Sequence, residues 1–226
     1  MSGTLLVVAV IGLVLPALFQ AVHPDPRREA TVRMSTWISG LLMLGYLLSL
    51  VYSMWTHKSA FSEGGEVAHH ESPPDWSLRK SVTVLVVVAG TIGVLSEFLV
   101  TSTEEAVESL GLSQIFVGLI VIPIIGNAAE HSSAVMMAVK NRMDLAVGIA
   151  AGSSIQVALL VAPLLVFLGV VLGKPMDLAF TTLEVASVAL AVAVASSVMR
   201  DNESNWLEGT FLLLAYAAIA VAFFFY

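Results

Sequence analysis

Long runs of apolar residues alternate along the chain with short clusters of polar and charged ones. Runs of about 18 or more mostly apolar residues read as membrane-crossing helices. Seven stand out: residues 4–22, 31–55, 79–102, 112–140, 144–172, 178–199 and 206–226. Little chain lies between them. In lipid a helix satisfies its own backbone groups, so the pattern predicts an all-α, polytopic transmembrane helical bundle. Composition agrees, with 58% of the 226 residues hydrophobic, 12% charged and a mean hydropathy of +0.91. That balance excludes an ordinary water-soluble domain. The first run lacks a basic leading region and a small-residue cleavage site, so it is expected to be a span rather than a cleaved signal peptide. The chain has no cysteine, which excludes disulfides and thiolate metal sites. A net charge of −7 with no basic stripe offers nucleic acid no footing.

Lys and Arg near span ends set orientation. If the seven spans alternate, the face holding the N-terminus carries Lys58, Arg79, Lys80, Lys140, Arg142 and Arg200, and the other carries Arg27, Arg28, Arg33 and Lys174. The excess favours a cytoplasmic N-terminus, and with no organellar targeting signal an integral protein of a prokaryotic plasma membrane is expected. The one long linker, residues 56–78, mixes Gly, Pro, Glu and His. Its Glu66, His69, His70 and Glu71 read either as a weak metal or pH-sensing cluster or as a solvated connection. The acidic stretch TSTEEAVESLG at 101–111 is either a cation-attracting mouth or a polar helix–helix connection.

Depth follows from the rise of about 1.5 Å per helical residue. In VIPIIGNAAEHSS, residues 121–133, Glu130 lies ten residues before Lys140. That is roughly 15 Å inside, half of a ~30 Å hydrocarbon core. Counting from Asp144 puts Ser153, Ser154 and Gln156 of GIAAGSSIQVALL at a similar depth, about 14 to 18 Å. A charge there is costly, about 2.5 to 3.5 kcal/mol even on lenient insertion scales for a central Asp. A protonated Glu acting as packing glue is the plain alternative. The backbone chemistry favours a site: Pro123 lacks an N–H, Gly126 tolerates unusual dihedrals and Asn127 bonds locally, so the helix is expected to break just before Glu130. Broken midplane helices are how secondary transporters build ion sites. Carboxylate, amide, hydroxyl and carbonyl oxygens suit a hard cation such as Ca²⁺. His131 either lines a proton path or donates to a neighbouring helix. It forms no zinc-protease signature with Glu130, which needs two His flanking the Glu. Glu97, five residues before Ser102, reads as a gate or proton-relay group or as a carboxylate reaching the interface. Glu184, seven residues past Asp177, is a second partly buried acid.

Residues 96–168 contain SEFLVTSTEEAVESLGLSQIFVGLIVIPIIGNAAEHSSAV and MDLAVGIAAGSSIQVALLVAPLLV. They closely resemble the second half of the cation/proton exchanger (CAX) branch of the calcium/cation antiporter superfamily. The tail DNESNWLEGTFLLLAYAAIAVAFFFY resembles that family's C-terminus. The resemblance implies a leading helix and two inverted five-helix repeats, each with a Gly-Asn-Ala-x-Glu motif whose glutamates face one another across a central cation. On that plan residues 1–55 are the last two helices of an incomplete first repeat, 56–78 the linker, and 79–226 the second five-helix repeat.

Carried over by the resemblance, Glu130 is the cation ligand and proton acceptor, and Asn127 and Gly126 shape the site. Ser153, Ser154 and Gln156 supply facing oxygens, His131 tunes the site or moves protons, and Glu97 lies on the access path. The implied activity is Ca²⁺/H⁺ antiport, with Ca²⁺ as cargo and no organic cofactor. No Gly-Asn-Ala-x-Glu motif precedes residue 96. The chain is therefore expected to be a truncated or half-transporter that needs a first-repeat chain or a homodimer. The alternatives are a non-transporting subunit that scaffolds a partner, or exchange of Mn²⁺ or Na⁺. An intramembrane hydrolase would need a nucleophile–base or metal pair, and Gln156 with the lone His131 does not make one, so no enzyme activity is expected.

Overall fold

The computed structural model describes residues 2–24, 28–56, 76–199 and 205–226. Regular structure among them is helical throughout. We label α1 Ser2–Val22 and α2 Glu29–Val51, extended by a π-helical turn at Tyr52–Thr56. Then come α3 Leu78–Leu110, α4 Gln114–Gly126 and α5 Ala128–Val139. The last are α6 Met143–Val171, α7 Thr182–Val198 and α8 Trp206–Phe224. Among the described residues five helices are long and apolar enough to cross a membrane, or six if α4 and α5, broken at Asn127, are one span. Seven were expected, and α7 accounts for the difference. Residues 174–180 are extended, so the helix starts only at Thr182 and is 17 residues long.

The chain forms two compact units, Met1–Gly64 with Ala128–Ile219, and Gly65–Asn127 with Ala220–Tyr226. In the first, α1 packs on α2, on α7 and on the first half of α6, while α2 packs on the second half of α6 and α5 pairs with the first. Leu6, Ala9, Leu42, Ile155, Leu159, Val166 and Leu178 make its core. That core is thin and the outer faces are apolar; Trp37 and Leu41, for instance, are 80% and 68% exposed. Such an exterior is what lipid solvates.

Polar groups inside this unit are mostly paired. Thr31, Ser35 and Ser39 occupy one face of α2 at four-residue spacing, each wholly buried. Thr31 Oγ1 donates to Gln20 Oε1, tying α2 to α1. After α6, Gly173 turns the chain with a left-handed φ of 69°. An extended strap follows, in which Leu178 N–H donates to Ser35 Oγ at 3.0 Å and Asp177 takes Arg28 in a two-point pair at 2.9 and 3.0 Å. Gly169 is obligatory there, because a Cβ would stand 2.8 Å from the Lys174 carbonyl oxygen. The strap ends in a capping box: Thr181 N–H donates to Glu184 Oε2 at 2.7 Å, and Glu184 N–H to Thr181 Oγ1 at 3.3 Å. Glu184, read from sequence as a partly buried acid, completes the capping box of α7, whose N-cap is Thr181.

In the second unit α3 runs 33 residues without interruption. At about 1.5 Å each it is ~50 Å long and exceeds the ~30 Å core. Its polar end from residue 101, expected as either a cation-attracting mouth or a helix–helix connection, stays helical to Leu110 and stops at Gly111 with a left-handed φ of 63°. Glu97 therefore lies thirteen residues before the end of its helix but six before Thr103, where the apolar span ends. Phe116 meets Phe224 edge-on at 5.5 Å, joining α4 to the chain's last residues.

Candidate functional site

The apolar run of α4 ends as Pro123, Gly126 and Asn127 predict. Asn127 leaves helical geometry at φ −99°, ψ 17°, and both its backbone N–H and its side-chain Nδ2 donate to the Pro123 carbonyl, at 3.0 and 2.9 Å. Committing that nitrogen leaves Oδ1 as the side chain's acceptor. Gly126 is not in the left-handed region, so the break rests on Asn127 and not on glycine freedom. The open space around Gly126, with no atom within 4 Å of a would-be Cβ, leaves its surroundings accessible.

Helix α5 opens at Ala128, which puts Glu130 in its first turn. There the unpaired N–H groups of a helix start favour a negative charge. Glu130 is half-buried and His131 is exposed. A tight turn follows, in which Asn141 takes a left-handed φ of 58° and donates to the Ala138 carbonyl at 2.9 Å. The chain returns as α6, packed on α5. Glu130 lies eleven residues before Asn141 and Gly152 eleven after it. By equal counts from the turn, Glu130 on α5 corresponds to Gly152 on α6, one residue before Ser153. Ser153 is half-buried, and Ser154 and Gln156 are exposed. Ser154 Oγ donates to the Ala150 carbonyl at 3.1 Å, leaving its lone pairs as acceptors. Beside them Gly148 and Gly152 have no atom within 4 Å of a would-be Cβ, so this face of α6 is open.

The first unit thus gathers Glu130, Ser153, Ser154 and Gln156 on one hairpin. Gly126, Asn127 and Glu97 belong to the second unit, Glu97 with an exposed side chain. Among the described residues no group of three or more His, Asp or Glu side chains comes together, so the hairpin offers one carboxylate amid neutral oxygens. That donor set is hard and incomplete, fitting Ca²⁺ in kind but short of its usual six to eight oxygens. Glu66, His69, His70 and Glu71 lie outside the described residues, as do the side chains of Glu104, Glu105 and Glu108.

Two features escaped the sequence reading. A π-helical turn, Val157–Val161, begins directly after Gln156, and another, Val117–Val121, precedes the break in α4. The available signal was the similar apolar pattern of GLIVIPII and ALLVAPLL, each placing a proline two residues past the π turn.

A set of apolar helices, with a candidate span broken directly before a carboxylate, has the build of a secondary transporter. Within that class the chain belongs to the sodium/calcium exchanger protein family, whose model matches residues 80–225. It is a family of membrane exchangers and not of enzymes. The chain is 41% identical to a Ca(2+)/H(+) antiporter of Aphanothece halophytica, over 96% of this chain and 62% of that protein. It is 42% identical to a Ca(2+)/H(+) antiporter of Synechocystis, again over 96% and 62%. The solved structure of native YfkE superposes with a TM-score of 0.77 at 35% identity, covering all of this chain and 62% of that one. The chain spans under two thirds of the length of these relatives.

Proposed function

We propose that this chain is the second half of a Ca²⁺/H⁺ antiporter. On this reading 1–55 closes a first repeat, 56–78 links the halves and 79–226 is a complete five-helix second repeat. Glu130 binds Ca²⁺ and accepts the exchanged proton. Ser153, Ser154 and Gln156 furnish neutral oxygens, Asn127 and Gly126 shape the break, and His131 and Glu97 serve proton movement and access. The observation that carries the reading is Glu130 in the first turn after a mid-span break, on a helix packed against the one that carries the serines and glutamine. The names of the relatives point to the same exchange.

The logic is competition. One carboxylate cannot hold a proton and coordinate a divalent cation with the same oxygens, so loading one releases the other. Alternating exposure of a fixed midplane site makes that competition vectorial. A single carboxylate on an open helix face calls for a second half, supplied by a first-repeat chain or a second copy. The relatives' extra length favours the former.

The test is uptake of radiolabelled Ca²⁺ into proteoliposomes under an imposed pH gradient, with this chain alone and with the N-terminal part of the Aphanothece relative co-reconstituted. Gradient-driven uptake is expected from the pair and is abolished by Glu130→Gln. Undiminished uptake in Glu130→Gln overturns the mechanism. No uptake from the folded pair leaves a scaffolding subunit as the better reading, and competition by Mn²⁺ or Na⁺ reads selectivity.

A further inference from the structure

Helix α6 is one helix in two hands. Its first half, Met143–Gln156, packs on α5 and α1, whereas its second half, Ala162–Val171, packs on α2. The second half is also tied down beyond its end. Gly173 turns the chain into the strap, Leu178 N–H is held by Ser35 of α2, and Asp177 is held by Arg28 at the start of α2. Leu159, Pro163 and Val166 are fully buried where α2 meets this half. The residues of the candidate site, Glu130 on α5 and Ser153, Ser154 and Gln156 on α6, all lie on the other side of the join.

The join itself is weak in a specific way. In the π turn Val157–Val161, Ala162 N–H reaches back five residues to the Val157 carbonyl, so one extra residue is threaded into the ladder. Two residues later Pro163 has no N–H to give the Leu159 carbonyl, its α-helical acceptor four residues back. A register slip and a missing rung coincide within seven residues, at the boundary between two differently anchored bodies. Helices bend at π bulges and prolines. The same phrase recurs at Val117–Pro123 of α4, where Ile122 N–H reaches the Val117 carbonyl.

We propose that the π–proline turn Val157–Pro163 is a hinge, about which the hairpin of α5 and the first half of α6 tilts against the body formed by α2, the second half of α6 and the strap. A tilt of that hairpin carries Glu130, Ser153, Ser154 and Gln156 together, so their mutual geometry is kept while their surroundings change. The inference goes beyond the antiport reading and does not depend on which ion is carried.

The experiment uses the full chain, free of native cysteine, in lipid nanodiscs with spin labels at paired introduced cysteines. Val135→Cys on α5 with Leu41→Cys on α2 spans the hinge. Leu168→Cys on α6 with Leu41→Cys stays within one body; all three positions are exposed. The distance distribution across the hinge is expected to be roughly twofold broader than the control, as hinge motion demands, and Pro163→Ala narrows it to the control width. Equal widths in the unmodified turn overturn the hinge. A broad distribution that Pro163→Ala leaves unchanged also overturns it, since the motion then arises elsewhere. Either failure leaves the Glu130 uptake test untouched.

Discussion

Ser35 and Ser39 stand one turn apart on α2, both wholly buried, yet they are in opposite circumstances. Ser35 Oγ accepts the Leu178 N–H, whereas Ser39 Oγ has no hydrogen-bond partner among the described residues. Removing an acceptor strands a buried donor at a cost of about 1–3 kcal/mol, while removing an unpaired buried hydroxyl sheds a desolvation penalty. Ser35→Ala is therefore expected to destabilise the folded chain by about 1–3 kcal/mol, and Ser39→Ala to be neutral or slightly stabilising. Reversible unfolding in mixed micelles of rising SDS fraction reads both. Equal losses would mean that Ser39 has a partner, such as a buried water.

At the scale of elements, the strap depends on one close approach. Gly169→Ala drives a Cβ to 2.8 Å from the Lys174 carbonyl, a backbone atom with Gly173 on one side and the docked Leu178 on the other. Overpacking of that kind costs about 1–3 kcal/mol. Gly126→Ala meets open space, and alanine favours a helix by about 1 kcal/mol over glycine. The first is expected to lower the melting temperature of the purified chain and the second to leave it unchanged or raise it. A reversed order would refute the packing described for the strap. Neither outcome was foreseeable from the apolar pattern, which reports only how much lipid-compatible length is present. That pattern located the helices and, through Pro123, Gly126 and Asn127, the break before Glu130. It misplaced the end of α3, because Thr101 to Ser109 are polar enough to leave lipid and still remain helical, the Thr101 and Thr103 hydroxyls donating to carbonyls one turn back. It missed the end of the strap because Leu178–Phe180 read as the start of a span, whereas they lie in a non-helical stretch and the Leu178 N–H bonds to Ser35 of α2. That Glu130, Ser153 and Ser154 lie on helices that pack on each other was legible, since the short Lys140–Arg142 turn leaves α5 and α6 as sequence neighbours. The π turns were not, because a π bulge leaves the apolar pattern of a helix unchanged, and only Pro123 and Pro163, each leaving a carbonyl without its helical donor, mark where the ladder shifts.

For the whole molecule the decisive unknown is which way it lies in the membrane, and the sequence and structure give a joint expectation. With α4 and α5 as one broken span, the Lys140–Arg142 turn falls on the N-terminal face and the strap with Lys174 on the opposite one. Trp55 at the end of α2, 80% exposed, is expected on the N-terminal face too, where aromatic side chains sit at the headgroup level; Trp206 at the start of α8, 81% exposed, joins it only if α7 also crosses. On the seven-span reading, in which α7 crosses as well, the Lys and Arg excess would put that face in the cytoplasm. Because the chain has no cysteine, Lys140→Cys and Lys174→Cys each introduce one reactive thiol. In intact spheroplasts a membrane-impermeant maleimide is expected to label Lys174→Cys from outside and Lys140→Cys only after permeabilisation. The reverse pattern would invert the molecule and move the proton-loading face of the proposed exchange with it. Labelling of both from one side would mean that α6 does not cross the bilayer, which would remove Glu130 and Gln156 from the midplane and the cation reading along with them.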